Sequence, residues 1–187
     1  MKKFRLTSLL AIMLLFTTAC NTNHEYSRYP CYVVIDNSVH QDPVLAQAMT
    51  PYAGVFVTLT VTSHGGAQYF RFVSNQNTFH ESIFNAIDSR RSFQLGMNGA
   101  LIVGFGNSTD ATFYAYDREC PNCFNPDAIP VRSKPLAVAS NGIATCPVCH
   151  RSYDLNNGGF IVSGDSGDKL IRYPASSTGA LGVLSVR

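Results

Sequence analysis

Residues 135–162, PLAVASNGIATCPVCHRSYDLNNGGFIV, decide the fold. Pro135–Ala139 and Ile143–Thr145 flank Asn141-Gly142, a pair that suits a type I′ hairpin turn. Tyr153–Leu155 and Phe160–Val162 flank Asn156–Gly159 and predict a second hairpin. Between the hairpins lies Cys146-Pro147-Val148-Cys149, so two cysteines three residues apart sit where one strand has ended and the next has not begun.

Working outward, the same grammar recurs. Gly54–Thr62 alternates β-branched residues, Gly65-Gly66 supplies a turn, and Gln68–Val73 answers as a partner strand. Ala100–Phe105 and Thr112–Asp117 flank GNSTDA and pair as a hairpin. Cys31–Asp36 reads as the first strand, and Lys169–Tyr173 and Ala180–Val186 as the closing ones. Asp42 at an N-cap and Pro43 at N1 predict a short helix over Val44–Met49. Phe79, Ile83 and Ile87, spaced i, i+4, i+8, predict a second over Phe79–Ser89. Many short strands with regular turns imply an all-β fold, an antiparallel sandwich or small barrel with one or two short helices.

The chain begins with a basic head (Lys2, Lys3, Arg5), an apolar run from Leu6 to Phe16, and Thr17-Thr18-Ala19-Cys20. That order describes a secretory leader over residues 1–19. Small residues leading directly into Cys20 resemble the lipobox of bacterial lipoproteins. The resemblance implies acylation of Cys20, membrane attachment through it, and a polar tether over residues 20–28 ahead of a single domain over 29–187. Asn21 after Cys20 implies outer-membrane sorting within the cell envelope. The other reading is an ordinary signal peptide with a coincidental cysteine. Without the leader's three basic residues, the net charge of +2 becomes 11 basic against 12 acidic residues. A near-neutral chain cannot work by neutralising phosphates, so no nucleic-acid partner is expected.

Six cysteines are present: Cys20, Cys31, Cys120, Cys123, Cys146 and Cys149. The last four form two CxxC knuckles, Cys120-Pro-Asn-Cys123 and Cys146-Pro-Val-Cys149. Two sulfurs on each tight turn can supply a tetrahedral set of four for one metal ion. Disulfides are the competing reading in an oxidising compartment. Cys146-Pro-Val-Cys149-His150 also fits the CxxCH pattern of covalent haem attachment, and His150 is an alternative ligand. Thiol–disulfide exchange is disfavoured, because nothing nearby predicts the helix N-terminus that activates a catalytic thiol. Cys31 reads as a small buried strand residue, and His24, His40, His64 and His80 as scattered surface or loop residues. Arg151 and Asp154 either tune the second knuckle or pair at a turn. No nucleophile–base arrangement or carboxylate pair predicts catalysis.

TFYAYDREC (112–120), CPVCHRSYDLNNGGFIVSG (146–164) and KLIRY (169–173) together resemble a Rieske iron–sulfur domain, over roughly residues 97–187 and with the metal region at 112–173. The chain as a whole resembles bacterial lipoproteins that carry such a domain. The resemblance implies two ligand loops meeting at one tip. Cys120 and Cys146 match the family's cysteine ligands. Cys123 falls one residue beyond the first histidine position, Cys149 falls on the second, and His150 lies one residue past it. A Rieske centre needs two histidines, and the first loop has none. What the resemblance then implies is a four-cysteine site in place of the mixed one. Zinc is the expected ion for a closed structural role. The alternative is an electron-transfer protein holding a [2Fe–2S] cluster or a single iron on the same cysteines, with a redox partner in the envelope.

Overall fold

The structure is a computed structural model, and it describes residues 25–187. The expected leader, Cys20 and His24 lie outside the described residues. Among the described residues no helix is long and apolar enough to cross a membrane.

Twelve strands form three antiparallel sheets among the described residues. The largest holds β2 (Phe56–His64), β3 (Ala67–Ser74), β4 (Phe79–Ile83), β5 (Ala100–Phe105) and β6 (Phe113–Asp117), in the order β4-β3-β2-β5-β6. A three-stranded sheet joins β1 (Val33–Asp36) to β12 (Val183–Val186) and then β11 (Ala175–Ser177). The third sheet is a meander of β7 (Ala137–Val138), β8 (Ile143–Thr145), β9 (Ser152–Asp154) and β10 (Phe160–Ser163). Two short helices, α1 (Asn37–His40) and α2 (Pro43–Ala48), follow β1.

The five-stranded sheet has a core on each face. On one face Val57, Leu59, Phe70, Phe72, Leu101 and Val103 pack with Val33, Ile35, Leu184 and Val186 of the three-stranded sheet and with Val44, Leu45 and Met49 of the α2 region. On the other face Phe56, Ile102, Tyr114 and Tyr116 pack with Leu136, Ala144, Tyr153, Leu155 and Leu170 of the half that carries the two CxxC loops. Hence every residue of β5 and β6 is buried, whereas β2 and β3 turn exposed or half-buried as they leave the second core. ALIVGF is therefore a continuous apolar run because both faces of that strand are covered. Burying one such large apolar side chain is worth roughly 1.5–3 kcal/mol, and the two cores together fix β6 as the platform from which the first knuckle departs.

Several expectations are met. Asp42 caps α2, its Oδ1 accepting from the Val44 and Leu45 amides at 2.9 Å each. The hairpins β2–β3, β5–β6, β7–β8 and β9–β10 all pair. Others are corrected. Phe79–Ser89 is not a helix; it gives β4 and then a 3-10 turn at Asp88–Arg90. Phe79, Ile83 and Ile87 are all more than half exposed, so their helical spacing marks no core face. Lys169–Tyr173 is not a strand in its own right but meets β6 through backbone bonds, Asp117 N–H to Ile171 O and Tyr173 N–H to Ala115 O, both 2.9 Å. The Asn141-Gly142 turn is not type I′. Gly142 has φ +79 while Asn141 keeps a negative φ, and the Gly142 amide donates to Ala139 O at 3.0 Å. That is a three-residue loop closed by a left-handed glycine.

Cys31 is buried, as expected, and burial raises its thiol to about 11. The histidines are not all surface groups. His40 is almost fully enclosed, its Nε2 3.0 Å from Asp88 Oδ2 and its ring edge-on to Phe70. His80 and Ser82 both donate to Asp42 Oδ2 at 2.7 Å, tying β4 to α2. His64 stacks on Tyr69 and bonds Glu81 at the turn end of the β2–β3 hairpin.

Candidate metal centre

The first knuckle leaves β6 after Asp117, and the second leaves β8 after Thr145. Each is a backbone turn. The Phe124 amide donates to Cys120 O at 2.9 Å, and the His150 amide to Cys146 O at 3.0 Å. His150 takes a left-handed conformation (φ +59), which reverses the chain so that the Cys146 amide can bond Arg151 O at 3.0 Å. Proline inside each turn reduces the freedom lost when both sulfurs are aimed at one point.

The four sulfurs do converge. Those of Cys120, Cys123, Cys146 and Cys149 lie within 4.8 Å of one another. Two pairs meet across the loops, Cys120 with Cys149 and Cys123 with Cys146, at 3.8 Å each. A tetrahedron with ~2.3 Å metal–sulfur bonds puts its sulfurs about 3.8 Å apart. A disulfide needs about 2.05 Å, so these are four separate thiols. Cys120 and Cys146 are fully buried, and Cys123 and Cys149 are half-buried. This group can hold one metal ion.

His150 does not join the four; it is exposed and its contribution is its backbone turn. The haem-attachment pattern fares no better. Cys146 Sγ is enclosed among the other thiols, where a macrocycle could bond it only by opening the tip.

The polar groups around the sulfurs are donors. The Val148 amide points at Cys146 Sγ (3.4 Å), and the Asn122 amide at Cys120. Tyr153 Oη accepts from Asn122 Nδ2 at 2.9 Å, which leaves its own proton to donate to Cys120 Sγ at 3.5 Å. Arg151 donates its amide and guanidinium to Cys149. Burial opposes the thiolate there, but the Arg151 donors, helped by the neighbouring thiols, hold Cys149 down to about 6. Burial pushes Cys120 and Cys123 upward, and neighbouring thiols add to it. Four thiolates this close repel one another, and a divalent cation is the group that relieves the repulsion.

A third loop clasps both knuckles. Asn122 exchanges two bonds with the Asp168 backbone (2.8 and 2.9 Å), and Arg151 donates to the carbonyls of Asp165 and Ser166 (3.1 and 3.0 Å). Gly167 allows a close approach here: a Cβ would overlap Asn122 Oδ1, the side-chain oxygen that accepts the Asp168 amide. At the base, Glu119 is buried and accepts from Asn98 and Ser133 at 2.6 Å each and from the Lys134 amide. Sequence reasoning identified the four cysteines and raised Arg151. It missed Asn122, Tyr153 and the 164–168 loop. Asn122 inside the knuckle was a usable signal; the loop, all Gly, Ser and Asp, carried none. Asp154 serves its own turn, accepting from the Asn156 amide at 2.9 Å.

No family model matches this chain, and neither the curated proteins nor the solved structures give a match. The functional reading therefore rests on the residues themselves.

Proposed function

We propose that the four cysteines hold one zinc ion that folds the tip of a lipid-anchored envelope protein built on a Rieske-like domain. The observation that carries the metal reading is the convergence of four sulfurs from two CxxC turns to tetrahedral spacing. All four positions around such an ion would be thiolates, which leaves no open site for chemistry and suits a structural role. A two-iron cluster fits less well, since bridging sulfides would push the two cysteine pairs further apart than one compact group. The Rieske-like reading is supported by the descent of the two loops from β6 and β8 and by the stretches that resemble the family. The protein purified without added metal is expected to be colourless and to contain about one zinc per chain by metal analysis. Visible absorption from stoichiometric iron, in protein purified without oxygen, would overturn zinc.

That outcome would favour the second reading, electron transfer from a single iron. Its support is specific: Cys123 and Cys149 are half-buried, so the centre lies close to the surface, and the sulfurs accept several N–H and O–H bonds of the kind that tune a redox centre.

The anchor reading rests on Cys20 and the small residues before it. Cys20→Ser is expected to leave the chain uncleaved or outside the detergent phase on phase partitioning. A cleaved chain that still partitions fully into detergent would overturn acylation at Cys20.

A further inference from the structure

We infer that the metal tip rests on the phospholipid bilayer to which the chain is tethered, with the loop Ile129-Pro130-Val131 inserted among the headgroups. The inference rests on the anchor reading at Cys20. Its first support is the loop itself. Ile129 is 99% exposed, Val131 is half exposed and Pro130 is exposed, so three consecutive apolar residues stand clear of both cores. Ile129 and Pro130 border a cleft shared with Cys123, Arg132 and Lys134. Val148, between the two cysteines of the other knuckle, is also 51% exposed. Apolar side chains followed by basic ones are the pattern of a segment that sits at a membrane interface, the apolar part among acyl chains and the basic part on headgroup phosphates.

The second support is where the tether enters. The Ser27 amide donates to Arg172 O at 2.7 Å, Tyr26 lies over the Arg172 guanidinium at 5.4 Å, and Glu25 bonds Arg172 at 3.3 Å. Glu25–Ser27 thus border the same cleft as Asp168, whose backbone is held by Asn122 of the first knuckle. From Glu25 back to Cys20 there are five residue steps, which span at most ~17 Å of extended chain. An acylated Cys20 therefore brings the metal end, rather than the far end of the five-stranded sheet, toward the bilayer. A loop of three apolar residues binds a membrane only marginally alone. Tethering raises its effective concentration at the surface enough for the contact to persist.

The test uses the full acylated chain in phospholipid vesicles. The chain has no tryptophan, so Ile129→Trp supplies a single indole at a site exposed enough to accept it. Val39→Trp, on α1 and 60% exposed, supplies the control. With phosphatidylcholine–phosphatidylglycerol vesicles, the Ile129→Trp emission is expected to shift to the blue and to be about halved when the acyl chains carry bromine. The Val39→Trp emission should change in neither respect. If the chain floats with the vesicles but the Ile129→Trp emission stays unshifted and unquenched, the tip contact is wrong and the anchor stands. A chain that stays in solution overturns the anchor and this inference together. A blue shift that needs no lipid and grows with protein concentration assigns the tip to another copy of the chain, and overturns the membrane contact.

Discussion

Replacing Cys146 by serine is expected to abolish stoichiometric metal binding and to lower the melting temperature by roughly 10 °C. Cys146 is fully enclosed, accepts the Val148 amide, and lies 3.8 Å from Cys123. A serine hydroxyl has a shorter reach and keeps its proton at neutral pH, so the remaining three thiolates would face an incomplete tetrahedron. Structural zinc is worth ~10–16 kcal/mol in peptides that have no other core. Here two apolar cores persist without it, so only the order of the tip is at stake, and about 3–5 kcal/mol is a reasonable share. For a chain of this size each kcal/mol moves the midpoint by roughly 2–4 °C. The measurements are metal analysis after dialysis and a thermal scan. Cys31→Ala is the control, since Cys31 is buried away from the four and should leave metal content unchanged. Full metal content in Cys146→Ser would show that the ion sits elsewhere.

The candidate site was more legible than the fold, for a physical reason. A CxxC knuckle is local: two sulfurs and a proline-stiffened turn are written within four residues, and the second knuckle announces the partner. The strands of the hairpins were legible on the same ground, because turn residues and alternation are short-range signals. What escaped was long-range. β11 at Ala175–Ser177 carries only small residues and exists because β12 offers it an edge. Lys169–Tyr173 has a strand's composition, yet its backbone is spent on β6 and on Gly159, whose carbonyl accepts the Leu170 amide at 2.9 Å. Tyr153 looks like one more core aromatic in sequence; only the fold shows its hydroxyl aimed at Cys120.

The clearest misreading, the helix predicted over Phe79–Ser89, leads to the second large effect. β4 reverses the usual alternation. Phe79 and Ile83 point to solvent at 64% and 56% exposure, while His80 and Ser82 turn toward α2. A polar residue can face inward only when its partner is supplied, and here Asp42 supplies it. Asp42 is fully buried and its carboxylate accepts four bonds: two from the first turn of α2, one from His80 and one from Ser82. Its own amide and carbonyl are held by the buried Asn37 side chain. One carboxylate thus starts a helix and fastens an edge strand.

Asp42→Ala is expected to destabilise the protein by about 3–5 kcal/mol, the sum of a lost N-cap, ~1–2 kcal/mol, and of buried donors left unpaired at ~1–3 kcal/mol each, reduced where His80 can reach water. The midpoint should fall by roughly 10 °C or more. Hydrogen exchange should accelerate first in β4 and α2, and metal content should not change, because the centre is built on the opposite face of the sheet. Asp42→Asn should recover part of the loss, since its Oδ1 can still cap α2. If Asp42→Ala melts like the parent, or if β4 stays as protected as β2, then β4 is held by its backbone pairing to β3 alone and the carboxylate is not what fixes the strand.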